Sequence, residues 1–144
     1  MHRFSLLILG ALFFTGCSTD FQAWEGRNSV IEGQGGTRKV VDGVDVWTNG
    51  DPPRRFRIIG IIDDERPGGI IPMAEMKHDV AEKVREHGGD AVIVLSSMSQ
   101  LQGYYTAASA NTQINGGSAT TFGSATTVPI TRRASKFMVI KYLD

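Results

Sequence analysis

The feature that most limits how this chain can fold is a long run without charge. Residues 91–131 contain no Asp, Glu, Lys or Arg, and residues 106–128 consist almost wholly of Thr, Ser, Ala, Gly and Asn. Such a segment buries too little apolar surface to offset its ordering entropy. We therefore expect either a mobile excursion, the flexible loop 106–128, or a long twisted hairpin with a loose tip. Loops of this length are usually functional or disordered, so it is a partner or glycan contact, or an inert insertion.

Composition bounds the remaining possibilities. The chain has 144 residues, of which 41% are hydrophobic, and this is enough for one domain with a leader or tail. Its 15 basic residues balance its 15 acidic residues, which argues against a nucleic-acid partner. One Cys and three His exclude a disulfide framework and a Cys-rich zinc site.

Several runs predict β-structure around a single helix. Asp42-Gly43 between two β-branched runs indicates a hairpin with a two-residue turn. Residues 56–62 indicate a central strand, residues 63–69 a polar turn or loop, and residues 91–95 and 135–143 two further strands. We therefore predict an α/β (α+β) fold, with one main helix packed on a small mixed sheet of four or five strands.

The helix is predicted over residues 72–87. Met73, Met76, Val80 and Val84 recur at spacings of three and four, which places them on one face. Pro72 suits a first helical turn, and the glycines at 88 and 89 suit the end. A strand, a helix and a strand in succession predict a βαβ-type crossover, although neighbouring hairpins could make the sheet mixed.

The N-terminus is typical of a secretory signal peptide. Arg3 precedes the apolar run 4–14, which is long enough for the hydrophobic region of a signal peptide and too short to span a membrane. Phe14-Thr15-Gly16-Cys17 follows and resembles the lipobox of bacterial lipoproteins. That resemblance implies signal cleavage between Gly16 and Cys17 and attachment of acyl chains, such as palmitate, to Cys17.

Lipidation would determine the localisation of the mature protein. One acyl chain anchors a protein only reversibly, whereas two or three chains on Cys17 would hold it to a membrane. Ser18 occupies the position directly after the Cys. An Asp at that position would resemble the inner-membrane retention signal of enteric-type lipoproteins, and this chain does not have it. The resemblance thus implies an outer-membrane lipoprotein of the cell envelope that faces the periplasm. We expect residues 17–36 to be a lipidated tether and residues 37–144 a single α/β domain.

Four residues are candidates for a metal site. Asp63 and Asp64 form a carboxylate cluster after the predicted central strand, where α/β sheets often place ligands. His78 and Glu82 are four residues apart on the helix, so both could reach one ion. The alternatives are a charged loop for the first pair and a solvated helix face for the second. We favour these alternatives, because no third or fourth ligand is evident.

No other pattern indicates chemistry. The Gly68-Gly69 pair before the helix lacks a phosphate-loop Lys, and no Ser lies in a nucleophile-elbow context. We therefore predict no catalytic residue and no cofactor. The arginines at 54, 55 and 57 and those at 132 and 133 would form one basic patch, facing lipid headgroups, peptidoglycan or lipopolysaccharide phosphates, if their strands pair; otherwise they protect strand edges.

Two segments resemble known envelope proteins. Residues 56–62 and 73–95, above all Gly88-Gly89-Asp90-Ala91-Val92, resemble small bacterial envelope lipoproteins of uncharacterised function. They are also similar, more loosely, to the α/β domain of the outer-membrane sensor lipoprotein of the Rcs stress pathway and to a small cytosolic family labelled heavy-metal-binding. The sensor's paired cysteines are absent, so the resemblance implies neither its disulfides nor its signalling.

The expected function is that of a non-enzymatic structural or interaction module anchored to the membrane through Cys17. Its partners would be envelope proteins or cell-wall glycan, and the oligomeric state is open. The alternative is a periplasmic ligand- or metal-binding domain that uses the acidic and histidine-bearing face of the helix.

Overall fold

The protein is mostly β-structure. The computed structural model describes residues 17–27 and 29–143, so the predicted leader, 1–16, lies outside the described residues. Strands make up 68% of the described residues and helix makes up 13%. In chain order the elements are β1 Ser18–Ala23, β2 Ile31–Glu32, β3 Gly35–Val41, β4 Val44–Asp51, β5 Arg55–Pro67, α1 Ile70–Glu86, β6 Ala91–Asn115 and β7 Ser118–Tyr142.

The strands of the described residues form one mixed sheet of seven. Its order is β1-β5-β7-β6-β4-β3, and β2 also pairs with β5. The β4–β6 pair is parallel, and the other pairs are antiparallel. Since β7 lies antiparallel between β5 and β6, these two strands are parallel to each other and α1 connects them. The predicted crossover is therefore present, with β7 inserted into it.

The predicted fold class, α/β (α+β) with one main helix packed on a small mixed sheet of four or five strands, was wrong. Across the described residues the sheet has seven strands, and the structure is mostly β. The two additional strands are β1 and β2, which both pair with β5, while residues 63–67 lengthen β5 and residues 106–128 lie in β6 and β7. These segments become strands because a neighbour supplies their backbone hydrogen bonds.

Local signals were read correctly where a turn or a face decides the structure. Asp42 and Gly43 have φ of 49° and 80°, as a two-residue hairpin turn between β3 and β4 requires. Helix α1 begins two residues before Pro72 and ends one residue before His87. Gly88, with φ of 73°, supplies the left-handed residue that ends it.

The core lies on both faces of the sheet. The apolar stripe of α1 covers one face, where Met76, Val80 and Val84 pack against Ile62 and Val139. A second cluster lies on the other face, because successive strand residues point to opposite sides. Its buried members are Trp47, Phe56, Ala91, Ile93 and Ile140.

Strand β1 is integrated into this core, so the expected tether over residues 17–36 is a misassignment for this strand. The ring of Phe21 lies over Gly60 of β5, at the place where any larger residue would put its Cβ. The same ring stacks on His87 at the end of α1, with 3.6 Å between ring centroids. Gly60 therefore permits the sandwich of β5, Phe21 and the helix end.

An ion pair fastens the same corner. Arg66 and Asp64 of β5 are both buried, and Nε of Arg66 donates to Oδ1 of Asp64 at 2.7 Å. The Arg66 guanidinium also donates to Thr19 of β1 at 3.0 Å and to Asp79 of α1 at 3.1 Å. The hydrogen bond to Asp64, with a lesser contribution from Asp79, raises the pKa of Arg66 although burial opposes it.

Candidate functional site

Among the described residues, the longest continuously exposed stretch is the far part of the β6–β7 hairpin. Strand β5 accompanies β7 only as far as Arg132, and β4 accompanies β6 only at 91–93. Beyond these points the two strands continue alone to the turn at Gly116-Gly117. We call residues 103–130 the ribbon. At about 3.3 Å per residue it extends roughly 40 Å beyond the sheet.

The ribbon pairs regularly without a core of its own. Every residue from 104 to 130 is exposed, and the register is continuous from Gly103↔Ile130 to Asn115↔Ser118. Hydroxyl pairs join the strands across it, with oxygen–oxygen distances of 2.9 Å for Thr106–Thr127, 3.2 Å for Ser109–Ser124 and 2.9 Å for Thr112–Thr121. The expected flexible loop 106–128 is therefore a hairpin, the second of the two forms that the composition allowed.

The two faces of the ribbon differ in chemistry. All three amides of its outgoing strand, at Asn111, Gln113 and Asn115, fall on one face by strand alternation. The opposite face carries no amide. It is formed by Tyr104, Thr106, Ala108, Ala110, Thr112 and Ile114, and on β7 by Ala119, Thr121, Gly123, Ala125, Thr127 and Pro129. The ribbon is thus uncharged throughout, and both faces mix apolar and polar side chains, since Tyr105, Phe122 and Val128 lie on the amide face.

Cys17 lies at the end of the sheet from which the ribbon leaves. Ser18 pairs with Glu65, Glu65 pairs with Ala134, and Ala134 pairs with Met98, so these four residues form one row across the sheet. The ribbon continues beyond this row, and Cys17 precedes Ser18 in the same direction. Cys17 is exposed, and its thiol is in no disulfide in this structure. Any group attached to Cys17 would therefore lie near the base of the ribbon.

The predicted carboxylate cluster does not converge. Asp63 and Asp64 are successive residues of β5, so their side chains point to opposite faces of the sheet. Asp63 pairs with Lys136, with 3.2 Å between Oδ1 and Nζ, while Asp64 is buried against Arg66. One strand cannot bring both carboxylates to one ion, and residues 63–67 are strand rather than the predicted loop.

The helix candidates have other contacts. His78 lies 2.7 Å from Asp42, measured from Nδ1 to Oδ2, and so joins α1 to the β3–β4 turn. Arg85 reinforces the contact by donating to the Asp42 carbonyl at 2.6 Å. Glu82 is exposed on the helix. Across residues 17–27 and 29–143, no three His, Cys, Asp or Glu side chains are grouped closely enough to hold a metal ion.

The arginines do not form one patch. In the β5–β7 ladder Arg57 pairs with Lys141, whereas Arg66 pairs with Arg133 at the other end of the strands. The first arginine cluster therefore lies far from Arg132 and Arg133, at the end of the sheet opposite the ribbon. Arg132 pairs with Glu65 at 3.2 Å.

An apolar cavity of about 260 Å³ lies between α1 and strands β3, β4, β6 and β7. Its walls are mainly aliphatic, among them Val44, Met76 and Val92, and Phe137 contributes an aromatic ring. Lys39 and Lys77 also line it, and both are exposed residues. The cavity can hold a small amphipathic ligand. The apolar part of the ligand would contact the aliphatic walls, and its anionic end would lie near the two lysine ammonium groups.

Sequence reasoning missed a polar cluster around Tyr142 at the opposite end of the sheet. Tyr142 donates to Asp45 at 2.8 Å and accepts from the Trp47 indole at 2.9 Å. Burial, assisted by the hydrogen bond to Asp45, raises the pKa of Tyr142 to about 12 although the bond from Trp47 opposes it. Arg54 stacks on the ring at 4.0 Å from its centroid. No short motif marks this cluster, because Tyr142 lies 95 residues along the chain from Trp47 and 97 from Asp45.

Comparison with known proteins adds no relative: no family model, curated protein or solved structure matches this chain. Within the part of the chain that the structure describes, no helix is both long and apolar enough to cross a membrane.

Proposed function

We propose that this protein is a bacterial lipoprotein of the cell envelope, anchored through Cys17, and that it acts as a non-enzymatic interaction module. The ribbon is its contact element. One observation carries the proposal: Cys17 and the ribbon leave the same end of the sheet. An anchor at Cys17 would therefore hold the ribbon close to the membrane surface.

Three features support this reading. Phe14-Thr15-Gly16-Cys17 resembles a lipobox, and Cys17 is the only Cys in the chain. The ribbon carries no charge and is exposed throughout. A two-stranded hairpin is only marginally stable by itself in water, so an exposed ribbon of this length favours a role in contact with a partner. Ser18 beside the lipidation site favours the outer membrane, with the domain facing the periplasm. Envelope proteins and cell-wall glycan are the partner classes consistent with this position.

Lipidation is tested by metabolic labelling of the full chain in a bacterial host with an alkyne analogue of palmitate. We expect the wild-type chain to carry the label and to sediment with membranes. Cys17→Ala should abolish the label and delay removal of the leader, while the matched control Ser18→Ala keeps both. Label on the Cys17→Ala chain, or an unlabelled wild-type chain in the soluble fraction, would refute the anchor.

A second candidate function rests on the cavity under α1. Its aliphatic walls and the two lysines suit a small amphipathic anion, a ligand class that fits a periplasmic binding domain. Calorimetry with octanoate tests it. We expect Lys39→Glu with Lys77→Glu to weaken octanoate binding, and Lys83→Glu, a helix lysine that is not among the lining residues, to leave it unchanged. Absence of octanoate binding to the wild-type chain would reject this candidate.

A further inference from the structure

The ribbon has two free backbone edges. Within the described residues, no strand pairs with the outer edge of β6 beyond Ile93, and the outer edge of β7 has no strand partner from Ser118 to Thr131. The two-residue turn makes Asn115 and Ser118 a hydrogen-bonded pair, and such pairs alternate along an antiparallel ladder. The residues between them therefore direct their N–H and C=O groups outward. On β6 these are Tyr104, Thr106, Ala108, Ala110, Thr112 and Ile114.

The usual protection of such edges is nearly absent. Proteins block free edges with charged side chains, prolines and bulges. The ribbon has no charged residue, and its only proline is Pro129, close to its base. The bulge at Gln102 likewise lies at the base, outside the ribbon. A two-stranded ribbon is marginally stable by itself, so edges left open over this length favour a further strand.

A second copy of this chain is the partner that fits. A charged partner would form no ion pair with a neutral ribbon, whereas another ribbon is equally neutral and equally long. Each of the six outward residues on β6 has one backbone donor and one acceptor, so together they would supply about a dozen hydrogen bonds. One of these bonds is lost, because Pro129 on the facing β7 edge has no N–H. A typical stable interface contains roughly ten direct hydrogen bonds. The free edge is therefore sufficient for a specific contact between copies.

The anchor decides how copies face each other, and this step rests on the proposed function. If Cys17 is held in a membrane, every copy directs its ribbon in the same sense relative to that membrane. In this orientation β6 of one copy lies antiparallel to β7 of the next, whereas β6–β6 and β7–β7 contacts would be parallel. Antiparallel pairing is more stable per residue. We infer that copies of this chain associate head to tail, with the free edge of β6 paired to the free edge of β7 of the neighbouring copy.

Crosslinking between two populations of the full chain tests the inference. One population carries Thr112→Cys on β6 and the other Thr121→Cys on β7, with different tags, and both are expressed together in a bacterial host. A thiol-specific crosslinker is then applied to the isolated membranes and, separately, to the soluble fraction. We expect products between the two tags to exceed products within either tag. The parent chain, whose only Cys is Cys17, measures any background through that thiol.

Backbone variants then locate the contact. Ala110→Pro removes one outward N–H while leaving the ladder within the ribbon intact, and should lower the yield of mixed products about tenfold. Ala110→Thr keeps the N–H and should have no such effect. A separate control places Ala108→Cys and Ala125→Cys in the Ala110→Pro chain. Because these two positions face each other across the ribbon, formation of a disulfide within one chain shows that the ribbon persists in the proline variant.

The outcomes separate the two proposals. No mixed product above the parent background, on chains that carry the palmitate label, overturns the inference and leaves the anchor standing. A predominance of products within one tag overturns the head-to-tail arrangement. Mixed products formed on chains without the label support the ribbon contact and refute the anchor alone.

Discussion

Arg66 and Asp64, two residues apart on the same face of β5, form a buried ion pair whose guanidinium also reaches the helix and the first strand. The Arg66 side chain donates to Asp64 at 2.7 Å, to Asp79 of α1 at 3.1 Å and to the Pro72 carbonyl at 3.1 Å. It also donates to Thr19 of β1 at 3.0 Å. One side chain therefore joins β1, β5 and α1 at the end of the sheet that bears Cys17.

Removal of one partner of this ion pair should destabilise the fold strongly. We expect Asp64→Leu to lower the free energy of unfolding by about 3–5 kcal/mol, because it leaves the Arg66 charge buried with weaker compensation. Asp63→Leu, which removes the exposed contact to Lys136, should cost about 0–1 kcal/mol. Denaturant unfolding of both variants measures the difference. Equal losses would show that the Asp64–Arg66 pair is no more important than the exposed one.

Gly60 should be intolerant of any side chain while Phe21 is present. Gly60→Ala places a Cβ within the space of the Phe21 ring, and we expect a loss of about 1–3 kcal/mol. In the Phe21→Ala background the same change should cost less, since the ring is gone and only the Gln22 carbonyl, 2.7 Å from the same Cβ position, still obstructs it. A double-mutant cycle from urea denaturation gives the coupling. Strictly additive losses would mean that β1 is not packed on β5 in solution.

The Tyr142 hydroxyl should titrate late. Its pKa is raised to about 12, chiefly by burial, so the folded state favours the neutral phenol. The resulting stability is fully present below the unfolded pKa of about 10 and is lost as the pH rises toward 12. The ultraviolet absorbance difference between the wild-type chain and Tyr142→Phe, followed with pH, isolates this group. A midpoint at the ordinary value for tyrosine would contradict the buried hydrogen-bonded geometry.

The ribbon should be dispensable for folding of the domain. Replacement of residues 106–127 by Asn-Gly joins Tyr105 to Val128, a hydrogen-bonded pair that a two-residue turn can close. The removed residues are all exposed and pair only with each other. The comparison is made in a Cys17→Ser chain, which lacks the proposed lipidation site. In this background we expect the replacement to change the melting temperature little. A large drop measured by calorimetry would show that the ribbon stabilises the sheet.

The parts of the fold that were predicted from sequence depend on neighbours close in the chain. The turn at Asp42-Gly43, the apolar face of α1 and its end at Gly88 follow from backbone preferences and a period of three to four residues. The same reasoning misassigned β1, because Phe21 packs, partly buried, against Gly60 and His87, which lie far along the chain. It also failed at residues 63–67, where a polar run became strand through pairing with β7.

The candidate site divides in the same way. The sequence by itself determined that residues 91–131 carry no charge and that Cys17 follows a lipobox-like tripeptide, since both are matters of composition and order. It also supplied Asp63, Asp64, His78 and Glu82 as metal candidates. Only the tertiary structure decided that Asp63 and Asp64 face opposite ways and that His78 contacts Asp42. Only the register of β1, β5 and β7 placed Cys17 beside the base of the ribbon, because strand pairing is set by contacts between residues distant in the chain.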